Sequence, residues 1–129
     1  MTFNVYIARG ERNGIAVMKI GKSQNLPQRE RDIGLSIELS VPQFNQHSAF
    51  VVERSLKKLV IAQGGKRLAD TYDSFHYDPD IYSLLCAKIE EITEKASEEE
   101  EIKLFREHYY GMVAEESRAK FREKYSRYY

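Results

Sequence analysis

Residues 4–23, NVYIARGERNGIAVMKIGKS, place two apolar runs on either side of an Asn-Gly pair. Both runs are rich in strand-forming residues. Asn13-Gly14 tolerates the positive φ angles that a tight turn demands, so the stretch predicts a β-hairpin. Immediately after it, Asn25 is placed to cap a helix, Pro27 is tolerated in the first turn, and Gly34 ends it. The next segment, SIELSVPQF at 36–44, alternates as a third strand, with Pro42 confined to its end or to a sheet edge.

Beyond residue 45 the period changes from two to that of a helix. In the run AFVVERSLKKLVIA, Ala49, Val52, Leu56, Leu59 and Val60 share one sector, and Gly64-Gly65 supplies a stop. Glu53 borders that sector, where a carboxylate either binds a metal or forms a flanking salt bridge. From Pro79 onward DIYSLLCAKIEEI repeats apolar residues at Ile81, Leu84, Leu85, Ile89 and Ile92. The polar remainder predicts one or two surface helices around Gly111, with Glu98 to Glu101 as an acidic first turn. The terminal tyrosines suit stacking on bases or packing against a partner. The expected class is therefore α/β (α+β): a small mixed β-sheet flanked by helices over residues 1–78, with an acidic helical extension over 79–129.

A chain of 129 residues with 42% hydrophobic content supports one principal core. No segment approaches the roughly 18 consecutive apolar residues of a membrane span, and the first residues do not make a secretory signal, so the cytoplasm is expected. Cys86 is the single cysteine, which excludes an intramolecular disulfide and a cysteine-rich zinc site and predicts a buried structural thiol. A net charge of zero hides a division. Residues 1–67 hold 11 Lys or Arg against 5 Asp or Glu, a difference of +6, and residues 68–129 hold 9 against 15, a difference of −6. The first half is thus suited to face phosphates, and Lys22, Arg31 and Lys58 are its candidate nucleic-acid contacts.

No Walker A run, dinucleotide fingerprint, His-Glu-x-x-His helix or calcium loop occurs, and His47, His76 and His108 lack ligand spacing. What remains is Tyr6, Lys19, Arg29 and Glu53. Tyr6 and Lys19 are expected to face one another across the hairpin, Arg29 projects from the first helix, and Glu53 approaches from the second. The set combines an activator for a nucleophile, two cations for phosphate charge and one metal-binding carboxylate.

At these positions the chain resembles the GIY-YIG nuclease superfamily, in the phage-type branch whose second motif reads KIG. NVYIA resembles the first motif, keeping Tyr6 without the leading glycine, and MKIGKS resembles the second through Lys19, Ile20 and Gly21. Arg29 matches the catalytic arginine of the first helix, and Glu53 in AFVVERSLKKL matches the metal-binding glutamate. Lys57 stands where that branch has a histidine, and TYDSF resembles the later Glu-aromatic-Phe motif. The likeness covers about residues 3–77. It implies a DNA endonuclease that hydrolyses phosphodiesters with Mg2+ or Mn2+, in which Tyr6 assists the nucleophile, Glu53 ligates the metal, Arg29 stabilises the phosphate and Lys19 orients it. The same surface also suits a catalytically silent nucleic-acid-binding module, or one that engages a phage or host protein or a second copy of itself.

Overall fold

The structure, a computed structural model, describes residues 2–126, with side chains through Lys120. The terminal tyrosines considered for stacking lie outside the described residues. Strands β1 (Asn4–Arg12) and β2 (Ile15–Ser23) form the expected hairpin, with Arg12 opposite Ile15. The two turn residues, Asn13 and Gly14, have φ of 53° and 79°, the mirror-image turn that matches strand twist. Helix α1 (Leu26–Ile33) begins where the Asn25 side chain accepts from the Gln28 N–H at 3.2 Å, and ends at Gly34 in the left-handed region.

Strand β3 (Ser36–Pro42) pairs antiparallel with the free side of β1, and Pro42 closes it as expected. The register slips between Ile7 and Ala8, leaving Glu38 as the extra residue of a bulge. Helix α2 (Gln46–Ala62) opens with a reciprocal capping box between Asn45 and Ser48. A fourth strand, β4 (Ser74–His76), pairs antiparallel with β2 and sets the sheet order β3-β1-β2-β4. Its three residues are too few to show a period, which is why only three strands were anticipated. Helix α3 (Pro79–Ser126) follows as one continuous element, so Gly111 does not divide the tail. The anticipated sheet flanked by helices, with a helical C-terminal region, is the architecture observed.

Two apolar clusters occupy the two faces of the sheet. Val5, Ile7, Met18 and Ile20 pack with Ala49, Val52, Leu56 and Val60 of α2 and with Ile81, Leu85 and Ile89 of α3. On the opposite face Tyr6, Ala8 and Val17 meet Leu35, with Leu26 and Ile33 at the ends of α1 packed against them. No residue of α1 is fully buried, so that helix lies shallow and keeps its middle in solvent.

Compact units divide at Ser97/Glu98, later than the boundary expected at residue 78, because the apolar residues at the start of α3 belong to the sheet's core. Cys86 sits half-buried beside that core, where burial pushes its thiol up and away from thiolate reactivity. No helix among the described residues is long and apolar enough to cross a membrane.

Candidate functional site

Tyr6 and Lys19 lie on the thinner face of the sheet, and their placement follows from the hairpin register. Tyr6 is directly opposite Gly21, and Lys19 opposite Ala8. The two candidate side chains are therefore diagonal neighbours on one face, and do not oppose each other as the sequence led us to expect. A glycine opposite Tyr6 is required by space: a Cβ at position 21 would fall on the phenol, at 2.9 Å from Cε1 and closer still to Cζ and the hydroxyl. The ring consequently lies across the strand and is 1% exposed.

Lys19 is 8% exposed, and a buried ammonium needs a counter-charge. Asp73 supplies it, accepting a hydrogen bond from Lys19 Nζ. The backbone holds the acid in place, since the Ile20 N–H donates to the Asp73 carbonyl at 3.1 Å just before β4 begins. Burial works against the ionised Asp73 carboxyl. The Lys19 hydrogen bond and charge, with Lys57 adding its own, outweigh that effect and hold the group below the usual carboxylate range.

Glu53 stands on α2 with its side chain 15% exposed. Lys57, one turn later, donates to its Oε1 at 2.5 Å, so the lysine and the glutamate form an ion pair along one face of the helix. The other oxygen, Oε2, is buried and has no hydrogen bond. That is an incomplete coordination shell for a carboxylate, which ordinarily accepts several donors.

Charges reaching the Tyr6 phenol show which groups are gathered around it. Burial is the main cause that pushes its pKa up to about 12; the positive charges of Arg29 and Arg12 oppose the rise, and the negative charges of Asp73 and Glu53 reinforce it. Arg29 and Glu53 are thus each within electrostatic reach of Tyr6, and Lys19 joins the group through Asp73. Arg29 itself is exposed on α1 and makes no ion pair among the described residues.

The nucleic-acid candidates are spread more widely. Lys22 places its Nζ 5.2 Å from the centroid of Phe50, an α2 ring that is 49% exposed. Arg31 occupies the last turn of α1 and Lys58 lies on α2, both exposed. His47, His76 and His108 are exposed as well. Among the described residues no three His, Cys, Asp or Glu side chains gather as a metal cluster.

Asp73 is the member of the group that sequence reasoning missed. The signal available was Lys19 itself, a cation at an inward position of an apolar strand, which calls for an acid nearby. No protein family, curated protein or solved structure matches the chain.

Proposed function

We propose that the chain is a metal-dependent DNA endonuclease of GIY-YIG type, acting in the cytoplasm, with Tyr6, Lys19, Arg29 and Glu53 as its site. The observation that carries this reading is the buried, unpartnered Glu53 Oε2 within charge range of Tyr6. One carboxylate oxygen fits Mg2+ or Mn2+, which keep much of their water shell and often take only one or two protein carboxylates. When bound, such an ion supplies Lewis-acid polarisation of a phosphate oxygen.

This chain's own residues do the remaining work. With its pKa near 12, Tyr6 is a neutral phenol at neutral pH, so its hydroxyl orients a water and does not act as a phenolate base. Arg29, exposed and outside any ion pair among the described residues, is available to the charge that develops on the phosphate. Lys19 is held by Asp73 as a fixed cation that orients the same group. Lys22, Arg31 and Lys58 hold the flanking backbone without reading sequence.

A second reading has its own observation. The Lys57 ammonium already sits on Glu53 Oε1, where it stands in for a metal's charge. That pairing favours a catalytically silent module that binds nucleic acid, or a protein partner, through the same fold.

One assay separates the two. Purified protein is incubated with single-stranded, duplex and branched DNA, with Mg2+, with Mn2+ and with chelator. Cleavage should require the metal. Arg29→Ala should lower it by about 100- to 1,000-fold while leaving Mn2+ binding in place. Glu53→Ala should abolish both cleavage and Mn2+ binding. A folded wild type that binds DNA with steep salt dependence and never cuts would establish the silent reading.

A further inference from the structure

The second compact unit begins at Glu98, and its described side chains beyond Glu100 are all exposed. Large apolar residues are nevertheless frequent there, and four of them fall at alternating steps of three and four. Ile102, Phe105, Tyr109 and Met112 are 53%, 71%, 55% and 52% exposed. At 100° per residue they share a stripe only ~80° wide. This is the a/d spacing of a coiled-coil seam: Ile102 and Tyr109 at a, Phe105 and Met112 at d.

Charges beside the stripe specify what covers it. The same frame places Glu101, His108 and Glu115 at g, and Arg106, Val113 and Lys120 at e. In a parallel, in-register pair each g residue faces the e residue five positions later on the partner helix. Glu101 then meets Arg106 and Glu115 meets Lys120, opposite in sign both times, while the middle pair sets His108 against Val113. An antiparallel pair sets g against g and e against e, which would bring acid to acid and base to base.

We infer that residues 101–120 form a short parallel two-stranded coiled coil with a second copy of this chain. Glu116, at the next a position, faces its own copy in such a pair and interrupts the hydrophobic seam between Met112 and Ala119, so the association is weak and concentration-dependent. It concerns only the second unit and is independent of any activity at the Tyr6 site.

Sedimentation equilibrium of the full chain over a micromolar to millimolar dilution series tests this. The wild type should pass from monomer to dimer, and Phe105→Glu should remain monomeric with an unchanged circular dichroism spectrum at low concentration. Glu101→Lys should weaken dimerisation about tenfold, because both symmetry-related pairs turn repulsive. Combining Glu101→Lys with Arg106→Glu should restore the wild-type constant. A chain that stays monomeric, a dimer that survives Phe105→Glu, or a charge reversal that its partner fails to rescue would each overturn the proposal.

Discussion

The two halves of α3 carry similar apolar spacing and meet opposite fates. Ile81, Leu85 and Ile89 are at most 7% exposed and complete the core over the sheet, whereas Ile102, Phe105, Tyr109 and Met112 are all more than half exposed. Periodicity therefore declares that a helix has a face to bury. It does not declare what buries it, because that depends on whether a sheet or another helix is available to receive the face.

The largest effect should come from breaking the covered half. Leu85→Ala removes side-chain atoms from a fully buried site and should cost about 2–5 kcal/mol, read from the urea midpoint followed by tyrosine fluorescence. An unchanged midpoint would show that this part of α3 is not part of the core.

A smaller effect is expected at Asp73, which anchors the thinner face. Because its folded-state pKa lies below the unfolded value, its ionised form contributes stability above the ordinary carboxylate range, and that contribution disappears as pH falls through the lowered value. Asp73→Asn should therefore be less stable than wild type at pH 7, and the two should converge in strong acid. Denaturation curves parallel at every pH would remove Asp73 from the Lys19 pair.

The smallest change strengthens the uncovered half. Gly111 lies within α3, and a Cβ there meets no other atom. Gly111→Ala should stabilise the helix by about 1 kcal/mol and raise helical circular dichroism on warming, without moving the core transition to which Leu85 belongs. Loss of helicity would show that the glycine is needed at that position.

What was legible in the sequence was local. Asn13-Gly14 announced the hairpin, Asn25 and Gly34 bounded α1, and the sector from Ala49 to Val60 described α2, because each signal needs only neighbours along the chain. The features that were missed depend on residues far apart in sequence. β4 acquires its identity only by pairing with β2, and Asp73 becomes part of the site only through a lysine 54 positions away. The register that sets Tyr6 against Gly21 follows from a two-residue turn, but the diagonal relation to Lys19 requires every pair to be counted along the ladder.

The approach of the Tyr6 ring to Gly21 has a consequence for how this chain can change over generations. A methyl group at position 21 would collide with the ring carbons as well as the hydroxyl, so even phenylalanine at position 6 would not make room. A lineage that replaces the glycine must also move or give up the aromatic ring, and one that keeps the ring in this place inherits the glycine. The two positions form a single heritable unit, and intermediates between its alternatives are penalised however neutral the endpoints are.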